Sequence, residues 1–285
     1  MKKALSLFLV VVICVLTFSS CDTFSKVKVN GTKIDNEIYY YFEDLYKEDK
    51  TQINNAISRY VAINSEFHAR ALTLSSAQKS ELSKKVNDLW HIYSLHYNKI
   101  DVSKETIYKI ETSSLYEDLL LEYYYGPDGA SPVSEEEIKK YFKDNYIAVN
   151  FATDYLFNIN ETGAIVSMSD SEKASIINGF SGSADLVNTG SPIETSTDKE
   201  VHNTIISSAS DGTFPTGFYK EAQKLDVNSA TTIIIGDYIF LVQRIDVFDA
   251  TYNYYATHRT QCLRAMKGDE FNTLVDQWSQ NYKVK

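Results

Sequence analysis

Cysteine is scarce in this sequence, and the residue patterns that mark a metal, phosphate or hydrolase site are missing. Only three cysteines occur among 285 residues, and no two of them form a Cys-X-X-Cys pair. His68 and His96 stand alone, without histidine, cysteine or carboxylate partners at the spacing of zinc ligands. No glycine-rich phosphate loop occurs, and no serine, histidine and acid set has the context of a catalytic triad. The sequence therefore offers no motif for metal, nucleotide or serine-hydrolase chemistry.

Basic residues are also few, because 28 lysines and arginines face 38 aspartates and glutamates, giving a formal net charge of −10. An acidic surface repels phosphate groups, so we exclude nucleic acid binding. The length and a hydrophobic content of 44% allow one or two domains with real cores. Tyrosine is abundant instead, with 21 copies. Its apolar ring and polar hydroxyl suit both core edges and surfaces that hold peptides loosely.

The long apolar run at the N-terminus, residues 4–18, is shorter than the roughly 20 residues that a membrane-spanning helix needs. Lys2 and Lys3 precede it, and the small residues Ser19 and Ser20 follow it. This order of charge, apolar core and small residues is typical of an export signal that a peptidase removes. We therefore expect the folded chain to work outside the cytoplasm, without ATP.

Cys21 follows this run directly and resembles the lipobox cysteine of bacterial lipoproteins, although Phe18 stands where leucine is usual. The resemblance implies a signal peptide over residues 1–20 and lipid attachment at Cys21, which would tether the chain to the bacterial cell membrane. The alternative is an ordinary secretory signal with an incidental cysteine. With Cys21 acylated and Cys14 removed, Cys262 stands alone, so no internal disulfide can form and the stability must come from packing.

Residues 33–147 read as a series of helices, after a tether and first turn over residues 21–32. Apolar residues recur at helical spacing in each segment. Asp35 and Ser103 have the positions of helix N-caps, and Ser134 with Glu137 forms a capping box. The sequence therefore predicts a helical N-terminal segment.

Residues 148–249 differ in texture, with short β-like runs, loops rich in Ser, Thr, Asn and Gly, and one short helical patch near residues 172–180. The runs 231–235 and 238–245 flank Gly236-Asp237, which predicts a β-hairpin. Helical spacing returns in residues 250–285. We expect an α+β protein in which a small, mainly antiparallel sheet with flanking helices lies between N- and C-terminal helices.

This order resembles the PrsA and SurA class of extracytoplasmic foldases. The segments that carry the resemblance are residues 29–34, residues 133–146, residues 218–242 and the terminal helix, which together frame almost the whole processed chain. The resemblance implies a helical chaperone module built from the first and last helices, with a parvulin-like (PpiC-type) domain inserted between them. It also implies binding of unfolded exported polypeptides, including proline-containing segments. Parvulins catalyse cis/trans isomerisation of X-Pro bonds, a slow folding step, and require no cofactor.

As the resemblance implies, a parvulin holds the proline ring in an apolar slot above two hydrogen-bonded histidines. Placing the family's Phe-X6-Leu pattern on residues 218–225 puts Phe214 and Phe218 at the slot positions. Asp154 stands where the first histidine is expected, or Tyr155 if the register slips by one residue, and Tyr238 stands at the second position.

Both expected histidines are therefore absent. The only histidine of this region, His202, falls in a predicted loop and matches neither position. We take Asp154 and Tyr238 as the degenerate catalytic positions, because a carboxylate and a phenol can form a hydrogen-bonded pair. Phe214, Phe218 and Tyr155 are the expected substrate-binding residues. This substitution favours weak or lost isomerase activity.

Two functions from other classes compete with the foldase. A purely non-catalytic holdase needs only a broad amphipathic surface, which the tyrosine-rich helices can supply. A solute-binding lipoprotein of a transporter would show two lobes of alternating strands and helices. Residues 33–125 read as helix after helix without intervening strands, which argues against a solute-binding lipoprotein.

Overall fold

A computed structural model describes residues 27–285 of the chain. The predicted signal peptide over residues 1–20, the lipid attachment at Cys21 and the rest of the tether up to residue 26 lie outside the described residues. The chain divides into two compact units. The helical unit comprises residues 27–133 and 263–285, and the mixed unit comprises Ser134–Cys262. The predicted α+β class is confirmed, while the domain boundaries at residues 148 and 249 stay predictions.

The elements follow in this order: β1 (Lys28–Val29), β2 (Thr32–Lys33), α1 (Asn36–Leu45), α2 (Lys50–Ala69), α3 (Ser76–Lys99), α4 (Lys104–Tyr125), α5 (Glu135–Asn145), β3 (Tyr146–Tyr155), β4 (Phe157–Ile159), β5 (Ile165–Ser167), α6 (Asp170–Asn188), α7 (Ile193–Ser196), β6 (His202–Ser207), a 3-10 helix (Ser208–Thr213), α8 (Phe218–Ala222), β7 (Ala230–Ile235), β8 (Tyr238–Ile245) and α9 (Tyr254–Ser279).

The helices of the helical unit begin at residues whose side chains accept hydrogen bonds from first-turn N–H groups. Asp35, Asp49, Ser75 and Ser103 cap α1, α2, α3 and α4, respectively. These N–H groups have no partner within the helix, so each cap stabilises its helix by about 1 kcal/mol. The N-caps predicted at Asp35 and Ser103 are confirmed.

Glu37 of α1 fixes the start of α4. Its Oε2 accepts hydrogen bonds from the backbone N of Ser103 at 2.8 Å, from the hydroxyl of Ser103 at 2.5 Å and from the hydroxyl of Thr106 at 2.6 Å. Burial alone would raise the pKa of Glu37, but the hydrogen bonds from Ser103 and Thr106 outweigh it and lower the pKa. The ionised form of Glu37 is therefore the one that joins these two helices.

The terminal helix completes the core of the helical unit. Phe271 and Val275 of α9 are fully buried, and the Phe271 ring lies 6.4 Å from that of Tyr125, edge to face. Arg264 donates to Glu117 of α4 at 2.9 Å and to Asp118 at 2.7 Å. A helical module formed from both ends of the described chain is therefore present, as the resemblance implied.

The mixed unit is built on a four-stranded antiparallel sheet in the order β6-β3-β8-β7. The predicted hairpin is confirmed as β7 and β8, joined by Gly236-Asp237, with Gly236 at φ +59°. The predicted helical patch is longer than expected and forms α6. Ser169 and Glu172 make a capping box at its start, and buried Val187 continues its apolar stripe beyond the expected end.

The two faces of this sheet carry separate cores, because successive strand residues point to opposite faces. One core contains Ala152, Leu241 and the apolar residues of α6. The other contains Val149, Phe240, Val242 and the apolar residues of α8. The sheet therefore separates an α6 side from an α8 side, and this separation decides which candidate site residues can meet.

Candidate peptide-binding face

Six aromatic residues lie on the α8 side of the sheet in one continuous series of ring contacts, which we call the aromatic face. They are Phe151, Phe214, Phe218, Phe240, Tyr238 and Tyr155. The successive ring centroids lie 5.2, 4.3, 4.9, 6.3 and 5.4 Å apart. Aromatic pairs at these distances attract each other and hold each other's orientation. The series crosses the strands. Phe218 and Phe240 are its buried middle, while Phe151, Phe214 and the two tyrosines are the rings that solvent reaches.

Phe218 is the buried anchor of this face, and Phe214 covers Phe218. Gly217, at φ +98°, precedes Phe218 and lets the chain turn sharply into α8. Arg244 donates from its Nη1 to the carbonyl of Gln223 at 2.9 Å, directly after α8. Phe218 is fully buried, and Phe214, half-buried, stacks on it at 9° between ring planes. At this contact distance a proline ring cannot lie between the two rings, so only the outer side of Phe214 is open to a ligand.

Tyr155 and Tyr238 form the accessible end of the aromatic face. They are directly opposite each other in the β3–β8 register, and their side chains are 44% and 40% exposed, respectively. Tyr155 also contacts Phe157 of the adjoining β4 strand, with ring centroids 4.8 Å apart. The phenol rings therefore offer both apolar surface and hydroxyl groups to a peptide in solution.

Asp154 lies on the other side of the sheet. Its carboxylate pairs with Lys199 at 2.7 Å and lines an open depression of about 530 Å³ beside α6. The hydrogen bond from Lys199 to Asp154 raises the pKa of that lysine. The expected pairing of Asp154 with Tyr238 is not formed, because neighbouring residues of a strand point to opposite faces. Tyr155, the alternative to Asp154, is the residue that lies directly opposite Tyr238. Which of the two occupies the first histidine position stays a prediction.

His202 lies beside Phe151, a contact that the sequence did not predict. We expected His202 in a loop, but it is the first residue of β6 and lies opposite Phe151, with ring centroids 5.5 Å apart. The imidazole is exposed and lies 4.0 Å from Glu200. The β-branched run Thr204, Ile205 and Ile206 was the available signal for this edge strand.

No cluster of three or more potential metal ligands occurs among residues 27–285. Within the same described range, no helix combines the length and the hydrophobicity needed to cross a bilayer.

Comparison with known proteins gives similarities at the level of structure. No protein-family profile matches the chain, and no curated protein sequence matches it. Among solved structures, the foldase PrsA from Streptococcus pneumoniae is 16% identical, with 84% of this chain and 87% of that chain covered and a TM-score of 0.44. PrsA from Bacillus subtilis is 12% identical, with 91% of each chain covered and a TM-score of 0.38. A SurA-like chaperone of Campylobacter jejuni is 10% identical, with 91% and 97% covered and a TM-score of 0.32.

Proposed function

We propose that this chain is an extracytoplasmic folding factor that binds unfolded exported polypeptides on the aromatic face. The single observation that carries the proposal is a continuous series of ring contacts whose end, at Tyr155 and Tyr238, is open to solvent. Unfolded chains expose apolar side chains and proline rings, which pack on aromatic rings without demanding a fixed sequence. The hydroxyls of the two tyrosines add hydrogen bonds to peptide carbonyls.

Isomerase activity on this face is proposed to be weak or lost. The two sequence positions at which the resemblance places histidines hold Asp154 and Tyr238, and Asp154 faces the α6 side. A proline ring bound against Phe214 and the tyrosines would still have water on one side. Its prolyl amide would therefore be only partly desolvated. A thousandfold acceleration requires about 4 kcal/mol of transition-state stabilisation, more than such partial desolvation supplies in full.

A non-catalytic holdase is the second candidate, and the contact between Phe214 and Phe218 favours it. Stacking at 4.3 Å fills the space in which a parvulin slot would receive proline. A holdase needs only the outer surface of these rings.

Tethering to the membrane is part of the proposal and rests on the sequence of the first 21 residues. Lipid on Cys21 would hold the folded units on the outer side of the cell membrane, where exported chains emerge unfolded. Between Cys21 and the start of β1 lie only a few residues, so the tether is short.

Two assays on the same preparations test the proposal. The first measures how well the chain suppresses aggregation of a chemically denatured protein, and the second measures isomerisation of a proline-containing tetrapeptide. We expect Phe214→Ala to weaken aggregation suppression several-fold. Phe248→Ala is the matched control, because Phe248 is a partly exposed phenylalanine of the same unit that packs on Phe142 instead.

The outcomes separate the candidates. Suppression by the wild type that Phe214→Ala weakens, with tetrapeptide rates equal in the two proteins, supports the holdase. A wild-type rate well above that of Phe214→Ala supports a surviving isomerase. Absence of suppression by the wild type would refute the folding-factor proposal altogether.

A further inference from the structure

The small sheet of the helical unit presents a row of lysines on its exposed face. Lys28 of β1 is directly opposite Lys33 of β2. On its other side, Lys28 exchanges both backbone hydrogen bonds with Lys285, at 3.1 and 2.9 Å. Directly opposed residues of antiparallel strands point to the same face, so these three side chains stand side by side across three strands. Lys283, two residues before Lys285, points to the same face.

The orientation of this row is fixed by the core beneath it. Val29 is 3% exposed and pairs with both Thr32 and Val284, and Val27 is also buried. Because strand residues alternate between faces, burial of the valines forces the lysines outward. All four lysines are exposed. We call Lys28, Lys33, Lys283 and Lys285 the lysine face.

Three of the four lysines in this row, Lys28, Lys283 and Lys285, have no carboxylate partner among the described residues. The residue opposite Lys283 is Asn30, whose side-chain oxygen accepts from the backbone N of Lys283 at 3.1 Å. Like charges directly opposite each other destabilise a sheet. Such a row in a chain of net charge −10 therefore points to an anionic partner outside the protein.

The position of the row in the chain indicates which partner this is. Lys28 follows Cys21 by seven residues, which span at most about 25 Å when fully extended. If Cys21 carries lipid, as the proposed function states, the lysine face stays close to the bilayer surface. The attraction of basic residues to anionic lipids acts within about 10 Å, and a tether of this length allows the lysines to approach the head groups that closely.

We propose that the lysine face docks on anionic phospholipid head groups of the membrane that holds the lipid anchor. The inference rests on the proposed function in one respect, the lipid tether that places the lysine face at the membrane. Binding of the lysines to vesicles can be measured without lipid on Cys21 and without a client. Each lysine near an anionic surface strengthens binding by a factor of about five. The acidic remainder of the chain is repelled by the same surface, so this face is the one that approaches it.

The test is co-sedimentation of residues 22–285, which retain every described residue, with vesicles of phosphatidylglycerol and phosphatidylcholine. We expect binding that requires phosphatidylglycerol, weakens as salt is raised, and falls at least tenfold when Lys28, Lys33, Lys283 and Lys285 are all changed to Gln. The matched control changes four other exposed lysines to Gln and so alters the net charge equally. These residues are Lys79, Lys84, Lys143 and Lys220.

Equal loss of binding in the two quadruple variants would overturn the inference, because net charge alone would then explain the binding. No binding of the wild type to phosphatidylglycerol vesicles, or binding to polyglutamate in preference to the vesicles, would also overturn it. Aggregation suppression measured on the same proteins is expected to be unchanged in both variants. Failure of vesicle binding would therefore refute the lipid docking but not the proposed folding function. Failure of aggregation suppression would refute the folding function but not the lipid docking.

Discussion

Replacement of Phe218 by alanine is expected to reduce mainly stability, and replacement of Phe214 mainly client binding, although the two rings touch. Phe218 is fully buried and contacts Phe151, Phe214 and Phe240. Truncation of such a phenylalanine costs about 3–5 kcal/mol through lost transfer energy and the cavity left behind. That is a large share of the 5–15 kcal/mol by which a typical domain is stable.

Phe214 is half-buried, and its ring stacks on Phe218 from the outer side. Its truncation removes one stack, which contributes about 0.5–1.5 kcal/mol beyond area burial, together with part of a side chain's burial. We expect a total cost of about 1–2 kcal/mol, so the protein stays folded. The binding of unfolded clients is expected to fall, because the ring that Phe214 presents to the ligand is lost.

The assay combines urea unfolding, followed by far-ultraviolet circular dichroism, with hydrogen exchange of peptides from β3 and β8. Phe218→Ala should lower the unfolding free energy and accelerate exchange in both strands. Phe214→Ala should leave exchange there close to that of the wild type, while client binding falls. Equal destabilisation by the two substitutions would refute the distinction between an anchoring ring and a ligand-contacting ring.

Other predictions concern single contacts. Glu37→Gln should destabilise the protein by about 1–2 kcal/mol, because a glutamine oxygen still accepts the hydrogen bonds from Ser103 and Thr106, but without the charge that strengthens them. Since the pKa of Glu37 is lowered in the folded state, its contribution is present above the ordinary value near 4.5 and is lost as the pH falls through the lowered value, so the urea midpoints of wild type and variant should converge in acid. Arg264→Ala should lower the free energy of unfolding by about 1–2 kcal/mol, between the values of exposed and buried ion pairs. Arg264→Lys should restore only part of this stability, because a lysine cannot hold both carboxylates that Arg264 holds, and full restoration in urea unfolding would contradict this. Asp154→Ala should change neither tetrapeptide isomerisation nor client binding, since Asp154 faces the α6 side; a drop in either rate or affinity would contradict that placement.

Local signals in the sequence predicted the elements that local physics controls. A capping side chain and its first-turn N–H lie within three residues of each other, so Asp35, Ser103 and Ser134 could be identified without tertiary information. The β7–β8 hairpin was likewise specified by its Gly236-Asp237 turn. The terminal helix α9 runs through Gly268, since one glycine costs only about 1 kcal/mol in a helix held by packing.

The candidate site was harder to predict because it depends on register and on pairing between distant strands. Moving a strand by one residue exchanges its two faces, and the sequence could not decide between Asp154 and Tyr155. The approach of His202 to Phe151 joins residues 51 positions apart and requires the β3–β6 pairing, for which no local motif exists. The lysine face combines residues from both ends of the described chain, so no sequence window contains it.

The most direct test of a peptide-binding aromatic face is site-specific photo-crosslinking to a proline-containing unfolded client. A photoreactive phenylalanine analogue replaces either Tyr238, at the open end of the face, or Ser175, which is exposed on the α6 side beside Asp154. Our account predicts strong crosslinks from position 238 that excess unlabelled client abolishes, and few from position 175. Equal yields at the two positions, or a higher yield at position 175, would contradict it.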